Sequence, residues 1–372
     1  MGIRCMLMRG GTSKGAFFVA DDLPTDPTER DDLLLRIVGS PDPLQIDGIG
    51  GAHPLTTKVA VVSRSDRPGI DLDYLFLQPS VDEAVVSDAQ NCGNLLAAVG
   101  PFGFERGLIG TRLASDAHAT SCRIFMVNTD SVVTATFPLL AGQPDYEGLG
   151  TVAPPAIAAI DGVPGTGAAI TLDFEAVAGG SCGALLPTGN SVDVLDGVEC
   201  TLIDNGMPVV VMRATDLGVR GDEQPEQLEA NAELRTRLES IRLLAGPLMH
   251  LGDVAASSVP KLTLVSPPRH DGHLATRTFI PHRCHDAIGV LGAVSVATAA
   301  LLPGSPAASV ARFGDDRTTI VCEHPTGSFA ASIVAEVGEH GVVDVQRAGI
   351  VRTARKLMDG TVFPRQHRHR DH

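Results

Sequence analysis

The chain of 372 residues repeats itself, and this constrains its fold more than any single motif. Gly15-Ala16-Phe17-Phe18-Val19 runs into Asp22-Leu23, and Pro208-Val209-Val210-Val211-Met212 runs into Asp216-Leu217: two apolar strands, each ending in an Asp-Leu turn. An amphipathic helix follows in each half, over 28–38 and over 225–246, where Leu234, Leu238, Ile241 and Leu244 fall on one face. Next comes an apolar strand opened by lysine, Lys58-Val59-Ala60-Val61-Val62 in one half and Lys261-Leu262-Thr263-Leu264-Val265 in the other. Each half then enters a small-residue helix through a polar, glycine-containing turn, from Asn91 and from His285. The pairs Asp22 and Asp216, Lys58 and Lys261, and Gly93 and Gly292 all stand about 200 residues apart, and so constant an offset favours internal duplication.

Strand patterns dominate the remaining sequence, and one helix per half is apolar all round, Leu95–Val99 and Val290–Leu301. A helix without a polar face must be surrounded. The expected fold class is therefore α+β, with a curled, mostly antiparallel sheet wrapped round a central helix, built twice. The length also exceeds what one core of roughly 250 to 300 residues fills. Gly- and Pro-rich text over 158–169 and 181–190 places the junction near residue 182, giving domains 1–182 and 183–372, with the last strand free to return to the first domain.

A net charge of -15 without a basic stripe argues against nucleic acid as a partner. No apolar run approaches the roughly 18 residues of a membrane span, and no secretory leader pattern opens the chain, so the expected location is cytoplasmic and no membrane is involved. The seven cysteines stand singly without a C-x-x-C pair, which favours free thiols over disulfides or a metal cage. A small-molecule carboxylate is the expected partner, with no cofactor and no metal; a homodimer is carried as an expectation about assembly.

Asn91-Cys92-Gly93-Asn94 precedes an apolar helix, where Asn is a favoured cap and the first amides lack partners. A thiolate there is stabilised by the helix dipole, so the thiol pKa is expected below about 8.5; the alternative is a small buried hydrophobe. Lys58 is one of only four lysines among 29 basic residues. At a strand mouth, desolvation favours the neutral amine and hence a base, the alternative being a charge that guards a sheet edge. Arg9-Gly10-Gly11-Thr12-Ser13-Lys14-Gly15 lacks the P-loop spacing and reads as a carboxylate-binding nest or as a plain glycine-rich turn. His285-Asp286 opens the second apolar helix as a cap and possible donor.

Taken together, RGGTSKG (9–15), IDGIGG (46–51), TTKVAVV (56–62), NCGN (91–94), CRIFMVNT (122–129), LLPTGN (185–190), IDNGMPVVV (203–211) and PHRCHDAIGVLGAVSVATA (281–299) resemble the methylaconitate isomerase-like, or PrpF-like, family built on the diaminopimelate epimerase fold. The resemblance implies two pseudo-symmetric domains with the site between them, and a cofactor-independent isomerase. Its reaction would move a proton on carbon in an unsaturated oxo-tricarboxylate of the 4-oxalomesaconate kind, in gallate-type aromatic degradation. Lys58 and Cys92 are then the catalytic pair, with substrate contacts from Arg9, Gly11, Thr12, Ser13, Lys14, Thr57, Asn91, Gly93, Asn94, Thr188, Asn190 and His285. Epimerases of this fold carry a thiol on each central helix, whereas Val294 stands about where the second is expected, which disfavours a two-thiol racemase. The rivals are an aconitate-type cis-trans or positional isomerase, a non-catalytic accessory of a dehydratase, and a hydrolase using Cys284 and His285.

Overall fold

The lysine-opened strands set the frame of two compact units in the computed structural model, Met1–Asp173 with Val351–His372, and Phe174–Ile350. Residues 2–88, 91–110, 117–150, 157–175, 178–255, 257–314, 317–337 and 343–366 are described; the basic tail 367–372 lies outside them. The division falls at 173/174 rather than near 182. The chain re-enters the first unit at residue 351, where the strand Ala354–Val362 pairs antiparallel with the N-terminal strand.

In the first unit, β1 (Ile3–Gly10) and β2 (Ser13–Val19) form an antiparallel hairpin. Helix α1 (Pro27–Val38) crosses over to β3 (Lys58–Arg64), which pairs parallel with β2. Asp26 caps α1 through the Glu29 amide and Gly39 ends it in the left-handed region, so both boundaries follow from local chemistry. Strand β4 (Leu72–Pro79) runs antiparallel to β3 and parallel to β6 (Ala119–Met126), and β7 (Ser131–Leu140) returns along β6. A two-residue strand, β5 (Val86–Ser87), doubles back on β4.

Period-2 alternation sends the two faces of this sheet to different partners. Phe18, Val59, Val61 and Leu77 pack with Leu34, Ile37 and Val38 of α1. The other face receives α2 (Gly93–Leu96) and α3 (Val99–Glu105): Phe17 lies 5.5 Å from Phe102, and Gly100 and Gly103 admit Phe137 and Leu72 at distances no Cβ would allow. The expected single apolar helix is thus two short ones. Pro101 has no N–H for the Ala97 carbonyl, which breaks the ladder between them.

The second unit repeats this order. An antiparallel hairpin (Val198–Asp204 with Pro208–Arg213) leads through helices α4 (Pro225–Ala230) and α5 (Ala232–Leu248) to a parallel strand, Lys261–Ser266. Leu274–Ile280 pairs antiparallel with that strand and parallel with Thr319–His324, which turns back into Gly327–Val337. Helix α6 (Val290–Leu301) is buried from Gly292 to Ala300, and α7 (Pro306–Val310) follows it. The helix expected over 225–246 is interrupted at Asn231, whose side chain caps α5 through the Leu234 amide. Leu234, Leu238 and Ile241 are buried as the 3.6-residue period requires, but that period next reaches Ala245, leaving Leu244 half exposed.

Candidate active site of the first unit

Cys92, rather than Asn91, caps α2: its backbone is extended and Sγ accepts the Leu95 amide at 3.5 Å. Asn91 sits one residue earlier, accepting the Cys92 amide at 2.9 Å and donating to Thr129 Oγ1 at 3.3 Å. The Ser13 hydroxyl lies 3.7 Å from the sulfur, and Cys92 as a whole is 9% exposed. Gly93 and Asn94 are only partly covered, and as the first residues of α2 their amides have no partner among the described residues.

The RGGTSKG segment is a tight hairpin: Gly10 pairs with Ser13, leaving Gly11 and Thr12 as the turn. Gly11 has φ +52°, and a Cβ there would collide with Asn94 Oδ1, so glycine is required on both counts. The expected anion nest is largely satisfied from within. The Gly11 amide donates to the Thr353 carbonyl and the Lys14 amide to that of Leu55, both at 2.9 Å. Arg9 Nη1 donates to the carbonyls of Gly11 and Thr353 and to Thr353 Oγ1, so one end of the guanidinium braces the hairpin. Lys14 alternates with Ser13 and points to the opposite face, away from the sulfur. Thr12 Oγ1 accepts from Asn94 Nδ2 at 3.1 Å, and Asn94 Oδ1 in turn accepts from Arg352 Nε at 3.1 Å. Burial pushes the Arg352 guanidinium down to about 10.

Lys58 opens β3 beside Gly15 of β2, where a Cβ would strike the Lys58 carbonyl. Since β2 and β4 flank it, the edge-guard reading does not hold. Ser13 and Gly15 share a face two residues apart, so the Lys58 amine and the Cys92 sulfur occupy the same helix-facing side of one sheet. Lys58 is 8% exposed; Nζ donates to Gln78 Oε1 at 2.7 Å and lies 5.1 Å from the centre of the Phe76 ring. No carboxylate pairs with it among the described residues. Thr57, expected to touch substrate, is buried: its hydroxyl donates to Gln45 Oε1 at 2.7 Å and accepts the Gly51 amide at 3.2 Å, holding the loop before β3.

Three expected contacts lie in the second unit and are locally engaged. Thr188 Oγ1 and Asn190 Nδ2 both donate to the Asp193 carboxylate, at 2.7 and 2.9 Å. His285 caps no helix, for Gly289 occupies the cap of α6; its Nδ1 accepts the Ala287 amide at 2.8 Å, so Nε2 carries the ring proton. The structural counterpart of Cys92 is accordingly Gly289 and not Val294, which lies within α6. Burial pushes the Cys284 thiol up to about 12, which disfavours the thiolate that a Cys284–His285 hydrolase would use. Sequence reasoning missed Gln78 and Arg352. Gln78 ends an apolar strand, where only the strand register ties it to Lys58, and Arg352 needed the return of residues 351–366 to the first unit.

Duplicated sheets wrapped on helices, with one lysine and one capping cysteine on the same face of one sheet, define an epimerase-like isomerase fold. The chain belongs to the PrpF protein family, whose model matches residues 1–365. It is 58% identical over 360 residues to the (4E)-oxalomesaconate Delta-isomerase of Novosphingobium sp. strain KA1, covering 96% of each chain. It is also 55% identical over 361 residues to the 4-oxalomesaconate tautomerase of Pseudomonas putida, covering 97% of this chain and 95% of that one. The crystal structure of methylitaconate-delta-isomerase superimposes with a TM-score of 0.85 at 33% identity, covering 98% of this chain and 96% of that one.

Proposed function

We propose that this isomerase acts on 4-oxalomesaconate, moving a proton within its conjugated oxo-tricarboxylate system. The observation that carries the reading is the placement of Lys58 and Cys92 on one face of one sheet, beside the partly open first turn of α2. The identity with the two oxalomesaconate enzymes supports the choice of substrate.

The chemistry follows from the groups present. The Gly93 and Asn94 amides at the start of α2 suit a substrate carboxylate, since they are donors without protein partners among the described residues. Lys58, as the neutral amine, takes a C–H proton made acidic by the adjacent oxo and carboxylate groups, and the electron pair delocalises into a dienolate. The ammonium so formed is stabilised by Gln78 Oε1 and the Phe76 ring. Cys92 delivers its thiol proton to another atom of the conjugated system, and the Leu95 amide and Ser13 hydroxyl are positioned to stabilise the thiolate left behind. Solvent exchange returns a proton to sulfur and removes one from the amine.

A positional shift in a methylitaconate- or aconitate-type acid is the second reading, favoured by the likeness to methylitaconate-delta-isomerase. Turnover of purified, chelator-treated protein on 4-oxalomesaconate and on methylitaconate, followed by proton NMR, decides between them. Conversion of the first with kcat/KM at least about a hundredfold above the second is expected; the reverse order transfers the assignment, and no turnover of either removes it.

A further inference from the structure

We propose that Gln78 is the residue that positions Lys58, and that its being a carboxamide rather than a carboxylate keeps the lysine available as a base; this rests on the role given to Lys58 above. Strand register brings the two together, because Val59 pairs with Leu77 across β3 and β4 and the preceding and following residues are therefore neighbours on the opposite face. Gln78 Oε1 accepts from Lys58 Nζ at 2.7 Å. The other end of the amide is fixed by backbone: Nε2 donates to the carbonyl of Thr57 at 2.7 Å and, at 3.3 Å, to those of Pro54 and Pro79. Turning the amide over would set an NH2 against the lysine donor and a carbonyl against three carbonyls, so only one orientation is satisfied. Thr57 is itself tied to Gln45, which also accepts the Ala52 amide at 2.7 Å and donates to Ser40. The amine thus sits at the end of a backbone-anchored chain that holds no formal charge.

The absence of charge has a chemical consequence. A carboxylate at hydrogen-bond distance favours the ammonium form and withholds the lone pair, whereas a carboxamide oxygen orients the amine with a smaller bias. The titratable groups on surrounding elements are Cys92 before α2, Tyr74 on the same face of β4, His53 in the preceding loop, and Asp82 and Glu83 after β4. Lys14 lies on the opposite face of β2. None of these bonds to Lys58 among the described residues.

The test is the pH profile of kcat/KM for wild type, Gln78→Glu, Gln78→Met and Lys58→Ala, each checked for folding by thermal unfolding. Gln78→Glu should move the limb assigned to the base to higher pH by about one to three units, losing roughly tenfold in activity per unit at neutral pH and regaining it under alkaline conditions. Gln78→Met, which fills the space without the hydrogen bonds, should lower kcat about tenfold with KM little changed and no such displacement. An unmoved profile in a folded Gln78→Glu overturns the inference. If that variant does not fold, Gln78→Met decides alone, and a wild-type kcat overturns it. Lys58→Ala separates the two levels: an active Lys58→Ala dismisses the base itself, while an inactive one beside silent Gln78 variants dismisses only the part played by Gln78.

Discussion

The two units follow the same sequence of strand pairings but are furnished differently at corresponding places. Lys58 is buried and bound by Gln78, whereas Lys261 is only partly buried and its side chain makes no hydrogen bond or ion pair among the described residues; its pKa is lowered by burial alone. Cys92 caps the helix of the first unit, while Gly289 caps α6, where a Cβ would meet nothing within 4 Å. The second unit instead links its hairpin to α6 with buried neutral groups: the Asn205 amide to Ser295 Oγ at 3.1 Å and Asn205 Nδ2 to Thr298 Oγ1 at 2.8 Å. A duplicated framework can therefore keep its packing in both copies while the groups proposed to transfer protons are concentrated in one.

Paired substitutions test that asymmetry most strongly at the lysines. Lys58→Ala should lower kcat by about 10²- to 10⁴-fold, and Lys261→Ala by less than about tenfold, measured at saturating substrate; equal losses would erase the distinction between the units. Cys92→Ser keeps a hydrogen-bonding cap but exchanges a thiol for a far weaker acid, so kcat should fall about a hundredfold without a comparable loss of thermal stability. Asn94→Ala removes the link between Thr12 and Arg352 and should raise KM about tenfold, since the start of α2 loses its brace to the hairpin. Thr188→Val should cost about 1 kcal/mol in denaturant unfolding and leave kcat unchanged, because its hydroxyl serves Asp193. A large fall in activity there would return Thr188 to the group of substrate contacts.

The repeat, the lysine-opened strands and the surrounded helices were legible because apolar period and chain offset carry them directly. What Arg9, Lys14 and Thr57 do was not, because a cation or hydroxyl beside glycines reads alike whether it meets a ligand or braces its own hairpin. The Gly11–Thr353 and Arg9–Thr353 bonds join residues more than 300 positions apart, and no local pattern announces them. Pro101 stands two residues beyond the apolar run 95–99, so that run by itself does not show that its helix breaks between Leu96 and Val99. Gly289 could be matched with Cys92 only once the caps of both helices were located, since the glycines at 93 and 292 suggested a register displaced by two residues.

The proposed mechanism requires the amine of Lys58 and the thiol of Cys92 to handle the protons of one substrate from one sheet face. Deuterium incorporation from D₂O during turnover of 4-oxalomesaconate tests it most directly, read by NMR for wild type, Lys58→Ala and Cys92→Ser. Label is expected in the wild-type product, with loss of both exchange and turnover in Lys58→Ala, and in Cys92→Ser a proton abstracted and exchanged faster than product forms. Label entering at the wild-type rate in both variants would contradict it.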